Sequence, residues 1–425
     1  MISELPSSFI NNAPNNIITP SQLETYGISN QDTVVSVVRK KNGMLGSSSD
    51  YWLRYQLASG MSRRIFYDSL DDISLGEWNN IFKVVFVIIG TLIGAGFASG
   101  QELYVFFFAY GMKGLIGILI SSCMFGIVIY KTLCLAEEKN ISNYKEFLEV
   151  LIPGETKGVN IIRNSVNFII NIFILVTFFI MIAGFGAYFE QEIGLNSILG
   201  SSILGILTFI VFMTSVKGVV KANEILVPIL IGFLVIIGIL NLQEINILNL
   251  DNYIIQTNNS NYIVSGMLYC SYNSILLIPV LLTLKDYIKN KKQIAGIATI
   301  STLIIVTLSI IVFLLLARVD VDIKNLEMPA VYVVSNSFKI LKYAYGFIIL
   351  ASIFTTAISL GTSFLQNVVK NKKSYPQIVL IMCITAVVTS KIGFSNLINS
   401  LYPIFGYLGL LQIFKLLIIK EKIDK

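Results

Sequence analysis

Histidine is absent from this 425-residue chain, cysteine occurs four times, and only 13% of the residues are charged. Without histidine there is no imidazole acid–base catalysis, no histidine-ligated metal and no histidine pH switch. Cys123, Cys134, Cys270 and Cys383 are widely spaced in apolar segments, so neither a disulfide framework nor a cysteine metal cluster is expected. No phosphate-cradling Walker motif and no soluble nucleotide domain are found, so any energy input comes from an ion or solute gradient rather than a bound cofactor. The chain does not read as an enzyme.

What is abundant is hydrocarbon. Hydrophobic residues make up 55% of the chain, mean hydropathy is +0.75, and apolar runs long enough to cross a bilayer recur after Ile81. This composition predicts an all-α polytopic membrane protein whose main partner is the lipid bilayer. The predicted spans are Ile81 to Tyr110, Gly114 to Ala136, Ile161 to Tyr188, Ser197 to Val216, Gly218 to Leu240, Tyr262 to Leu284, Ile294 to Ala317, Tyr343 to Val369, Pro376 to Ser390 and Ser395 to Ile419. The ninth is short for a ~30 Å hydrocarbon layer. Residues 80–425 form the transmembrane domain and residues 1–79 an N-terminal extension.

Charge placement orients these ten spans. With the N-terminus inside, 25 of the 31 basic residues fall on the inner side and 6 on the outer side. Both termini are therefore expected in the cytoplasm of a multi-pass protein of the cell membrane. This distribution accounts for the net charge of +6 without a nucleic-acid partner.

The first span is interrupted by Gly90, Gly94, Gly96 and Gly100 and by the carboxylate of Glu102. Glycine lowers helix stability by roughly 1 kcal/mol relative to alanine, and hydrocarbon offers no water to freed amides, so such a break must line a protein cavity. Ten spans divide into five and five, and an odd number makes any repeat inverted. The sixth span, partner of the first, carries the polar stretch Gly266 to Ile275 before Pro279, and a second break is expected there. Broken helices in corresponding positions mark a binding site. Gly94, Ala95, Gly96 and Phe97 would face a substrate carboxylate, with Tyr269, Ser271, Tyr272 and Asn273 around an ammonium group. The bland reading, glycines for helix packing and tyrosines for the core, weighs less because both clusters fall at one depth.

The string Gly94-Ala95-Gly96-Phe97-Ala98-Ser99-Gly100-Gln101-Glu102 resembles the YkvI-like predicted permeases of the amino acid, polyamine and organocation (APC) transporter superfamily. The resemblance covers roughly Phe82 to Ile419 and implies a LeuT-type fold, five plus five helices with the first and sixth broken. It supplies no substrate. Sodium-coupled proteins of that fold use two carbonyls before the first break and hydroxyls of the eighth span, which here correspond to Gly90 and Ile93 with Ser352, Thr355 and Thr356. Helix-stabilising hydroxyls are an equally good account of those residues. Some proton-coupled relatives place a lysine midway along the fifth span, whereas Lys217 and Lys221 lie at its start. Na+ is thus weighed slightly above H+ as the coupling ion.

Glu102 lies eight residues beyond Gly94, about 12 Å along a helix, which places it above the site as a gate or proton carrier. Glu224 pairs with Lys221 at the inner edge of the fifth span. Asn160, Asn164, Asn167 and Asn171 share a face of the third span and read either as an inner pathway or as interhelical hydrogen bonding. Glu327 to Tyr332 reads as a lid helix or a plain connection. In the extension, Thr33 to Val38 and Tyr51 to Leu57 read as two strands and Ser69 to Asn80 as an amphipathic lead-in helix, a departure from the YkvI-like pattern. The functions left in competition are a secondary transporter of an amino acid or similar small zwitterion, a nutrient or germinant receptor on the same fold, and a channel. The channel ranks last because the polar groups cluster at one depth rather than along a stripe.

Overall fold

The computed structural model of the chain describes residues 33–40, 50–56, 62–67, 70–141, 143–154, 156–214, 219–241, 261–288, 291–319, 322–337, 339–369 and 373–419. It divides into two units, Met1–Asn80 and Ile81–Lys425. In the first, strands β1 (Thr33–Lys40), β2 (Asp50–Gln56) and β3 (Ser62–Tyr67) form an antiparallel meander. The register sets Trp52 opposite Val38 and Phe66, and Arg54 opposite Arg64. Two strands were expected. The third begins with Ser62-Arg63-Arg64 and shows its character only when paired with β2.

The second unit is all-α. Helix α1 (Leu70–Leu92), which begins in the first unit and enters the second at Ile81, the single turn α2 (Ala95–Ala98) and α3 (Gln101–Phe106) make the interrupted first span. The second is α4 (Lys113–Glu138), followed by the short connecting helix α5 (Tyr144–Leu151). The third to sixth are α6 (Lys157–Tyr188), α7 (Ser197–Thr214), α8 (Val219–Asn241) and α9 (Tyr262–Thr283). The seventh, α10 (Lys291–Leu316), leads through the short helix α11 (Pro329–Ser337) to the eighth, α12 (Lys339–Val368). The ninth and tenth are α13 (Tyr375–Thr389) and α14 (Phe394–Ile418). Eight are long and apolar enough to cross a bilayer on their own, and the first and fifth contribute the shorter apolar helices Asn80–Leu92 and Val227–Leu240. The ninth reaches 18 residues because a 3₁₀ turn, Ser390–Ile392, extends it.

One expectation fails at the sixth span. Helix α9 runs unbroken from Tyr262 to Thr283. Its polar stretch satisfies itself within the helix: Ser271, Asn273 and Ser274 donate to the carbonyls of Met267, Tyr269 and Cys270 at 2.6, 3.1 and 2.7 Å. A side chain that bonds the carbonyl four residues back removes any need to unwind.

Lipid tails are as apolar as leucine, so helix association rests on close backbone approach and polar contacts. At Gly266 an added Cβ would lie 2.6 Å from the Gly117 carbonyl of α4, and at Gly409 it would strike the Ser271 carbonyl. The sixth span is thus wedged between the second and the tenth. Lys131 of α4 donates to the carbonyls of Leu417 and Ile419 at the end of α14, where a cation opposes the helix dipole. Glu327 accepts from the Ser395 amide at 2.6 Å at the other end of that helix. Phe347, Ile381 and Leu411 are largely exposed, as lipid-facing side chains should be.

Candidate functional site

The first span breaks twice within eight residues. Ile93 N–H is bonded to the Ile89 carbonyl at 2.7 Å, Gly94 lies outside the helix, and its carbonyl then accepts from Ala98 at 3.0 Å to close one turn. The second break is at Gly100, whose φ of 82° favours glycine and where a Cβ would meet Ala330 at 2.9 Å. Ala95 and Gly96 are therefore helical rather than unwound, because the turn is held at both ends. Carbonyls freed by the second break are taken up by other elements. Tyr345 of α12 donates to Ala98 O at 2.6 Å, and Ala330 of α11 donates to Ser99 O at 2.8 Å. Each bond satisfies a group that hydrocarbon would leave bare.

Gly94 and Gly96 face different surroundings. A Cβ at Gly94 would meet nothing within 4 Å, whereas one at Gly96 would strike the Glu102 carboxyl. Glu102 thus folds back from α3 onto the Gly96 turn, rather than standing above the site as its separation from Gly94 predicted. The second break reverses the helix geometry on which that estimate depended. Glu102 is 5% exposed, and its Oε2 accepts from the Tyr272 phenol at 2.6 Å, with the Tyr269 hydroxyl a second neighbour. Among the described residues no lysine or arginine pairs with Glu102.

The phenol that meets this carboxylate belongs to an aromatic cluster. The Tyr272 ring packs on Phe106 (5.4 Å, 29°) and Tyr402 (4.5 Å, 30°), and Tyr269 meets it edge-on at 5.6 Å. Phe173 and Phe405 form the next layer, 4.3 Å apart. Tyr402 and Tyr345 were not anticipated. Their only mark in the sequence is a tyrosine inside an apolar span. Gln101, next to Glu102, is 1% exposed with its Oε1 unpartnered among the described residues.

The structure brings Gly96, Glu102, Tyr269 and Tyr272 together and separates the other expected residues from them. Ser271 and Asn273 bond their own helix, Phe97 is buried in the core, and the side chain of Ala95 lies outside the described residues. In the cation set, Gly90 packs against Val227 of α8, and the Thr355 hydroxyl donates to Ser352 O at 3.1 Å. Ser352 and Thr356 are half-buried on α12. No hydrogen bond joins Gly90 or Ile93 to these hydroxyls among the described residues. The Lys221–Glu224 pair lies outside the described side chains. Asn160, Asn164 and Asn167 are exposed, and Asn171 accepts from Asn367 of α12 at 3.0 Å.

On the side of α11 the spans are tied shut. Gln191, in the π-turn Phe189–Ile193 that extends α6, donates to Met328 O at 2.9 Å and accepts from Met328 N at 2.8 Å. Glu192 accepts from Ser335 and pairs with Lys342 at 3.4 Å. The segment from Glu327 is accordingly a strap ending in the α11 helix, held to the first, third and tenth spans. A separate cavity of about 380 Å³, lined by Glu190, Asn196, Ser197 and Lys391 among others, contains none of the expected site residues.

These features define a polytopic α-helical membrane protein of LeuT-type fold. The inward-facing structure of Mhp1 superposes with a TM-score of 0.55 at 14% identity, covering 79% of this chain and 75% of that one. A second Mhp1 structure, described as a nucleobase-cation-symport-1 family transporter in a closed conformation with bromovinylhydantoin bound, gives 0.49 at 14% identity over 77% and 74% of the two chains. No protein-family model matches the chain. It is 31% identical over 339 residues to the uncharacterized membrane protein YkvI of Bacillus subtilis (strain 168), covering 77% of this chain and 92% of that protein, and it belongs to the YkvI family. The uncharacterized protein YyaD of the same strain is 26% identical over 338 residues, covering 78% of this chain and 95% of YyaD.

Proposed function

We propose that this protein is a secondary transporter of an amino acid or similar small zwitterionic solute, working by alternating access about the first and sixth spans and coupled to a cation. The observation that carries the reading is Glu102, a buried carboxylate without a cationic partner among the described residues, held by Tyr272 against a twice-broken helix. A charge at that depth costs on the order of 3 kcal/mol, and intramembrane acids of this kind mark ion and solute pathways. Support also comes from the fold shared with Mhp1, described as a transporter. The coupling ion is Na+ at Gly90, Ile93, Ser352, Thr355 and Thr356, or H+ on Glu102. The protein resides in the cell membrane with both termini cytoplasmic, and residues 1–79 form a cytoplasmic extension.

Uptake of a labelled amino-acid panel into proteoliposomes, with imposed sodium or pH gradients, tests this reading. Accumulation that follows one of the gradients is expected. Saturable binding without accumulation would instead assign the chain to the nutrient-receptor class.

A further inference from the structure

The geometry points to Glu102 as the counter-ion for an organic ammonium group, beside the aromatic cluster of Phe106, Tyr269, Tyr272 and Tyr402. This inference rests on the reading of the first and sixth spans as the binding site, and it places the cationic end of the solute beside the Gly96 turn, where the Glu102 carboxyl lies.

Four observations carry it. Glu102 is buried and pairs with no lysine or arginine among the described residues. Its hydrogen-bonding partner is the Tyr272 phenol, which brings no positive charge. Tyr272 packs at 29–30° to Phe106 and Tyr402 and edge-on to Tyr269, so the phenol that meets the carboxylate is set in an aromatic wall. Two residues before Gly96, a Cβ added at Gly94 would meet nothing within 4 Å, and the rest of the solute is assigned to that side.

An unpartnered carboxylate repels an anion and attracts a cation. The choice among cations follows from the donor set. A hard inorganic cation needs oxygen ligands on every side to replace its water, whereas this site offers one carboxylate and two phenols in an apolar wall. An alkylammonium directs its N–H donors to the carboxylate and phenol oxygens and rests its methylenes on the aromatic wall. The Tyr272 hydroxyl competes for the same carboxylate oxygen, so the incoming ammonium displaces it.

Thermal stability of the purified full-length protein in detergent reads this out, with ethylammonium chloride, sodium propionate and sodium chloride as probes at matched ionic strength. Ethylammonium is expected to raise the Tm saturably, and propionate to do nothing beyond the sodium chloride control. Glu102→Gln should weaken ethylammonium binding on the order of tenfold or more. Tyr272→Phe, which keeps the ring and removes the competing hydroxyl, should bind it at least as tightly as the parent, and Tyr272→Leu more weakly. Stabilisation by propionate, none by ethylammonium, or an ethylammonium shift unchanged in Glu102→Gln would overturn the inference. So would a sodium-specific shift lost in Glu102→Gln, which assigns the carboxylate to an inorganic ion. Because binding is read without transport, a protein that binds ethylammonium but accumulates nothing refutes the transporter reading alone.

Discussion

The phenol of Tyr272 donates to the carboxylate of Glu102 across 170 positions of sequence, joining the broken first span to the continuous sixth. The bond makes the polar centre of the bundle a relationship between helices.

Gly94 and Gly96 should respond oppositely to alanine. Neither has positive φ, so the difference is one of space: open at Gly94, the Glu102 carboxyl at Gly96. Gly94→Ala should leave thermal stability within ~0.5 kcal/mol of the parent. Gly96→Ala should cost about 1–3 kcal/mol by pushing Glu102 off Tyr272. Shortening the acid with Glu102→Asp in the Gly96→Ala background should recover part of that loss, a non-additivity that a double-mutant cycle measures.

Gln191 should hold the strap closed. Gln191→Leu removes both bonds to the Met328 backbone, about 1 kcal/mol each. A cysteine replacing Ser99 should then react roughly tenfold or more faster with a membrane-impermeant maleimide applied from the face bearing α11. An unchanged rate would show that the strap does not limit access.

The wedge of the sixth span should be intolerant of small additions. Gly409→Ala drives a methyl group into the Ser271 carbonyl, and Gly266→Ala into that of Gly117. Each should lower stability by about 1–3 kcal/mol. Gly232→Ala, which meets nothing within 4 Å, serves as the control and should be neutral in the same melt.

Topology is tested by cysteine tags on a background lacking the four native thiols. Tags in the Leu242–Asn261 connection, most of which lies outside the described residues, should label only from outside. Tags between Lys285 and Lys292 should label only from inside. Labelling of both from one side would refute the orientation drawn from the 25-to-6 charge split.

Coupling separates by mutation. If sodium binds at the eighth span, Thr355→Ala and Thr356→Ala should raise the sodium concentration for half-maximal uptake, and sodium and solute should raise each other's affinity by the same factor. If the proton is carried by Glu102, uptake should ignore sodium, follow a pH gradient and disappear in Glu102→Gln. The Thr355 hydroxyl now bonds Ser352, so its recruitment to sodium requires a change of rotamer.

The residues themselves determined the class of molecule, the ten spans and the break in the first. Hydropathy over ~20 residues is a one-dimensional property, and glycines in hydrocarbon have few innocent explanations. Tyr269 and Tyr272 stand out in the sequence as polar rings within an apolar span, and in the structure they adjoin Glu102. Other features depended on the third dimension. Whether a polar stretch unwinds a helix or bonds it internally depends on side-chain rotamers, and in α9 Ser271, Asn273 and Ser274 all chose their own carbonyls. Glu102 reached Gly96 because a second break at Gly100 redirected the chain, which no constant rise per residue predicts. Tyr402 and Tyr345 joined the centre from the tenth and eighth spans through helix packing, and contacts between distant segments leave no periodic trace along the chain.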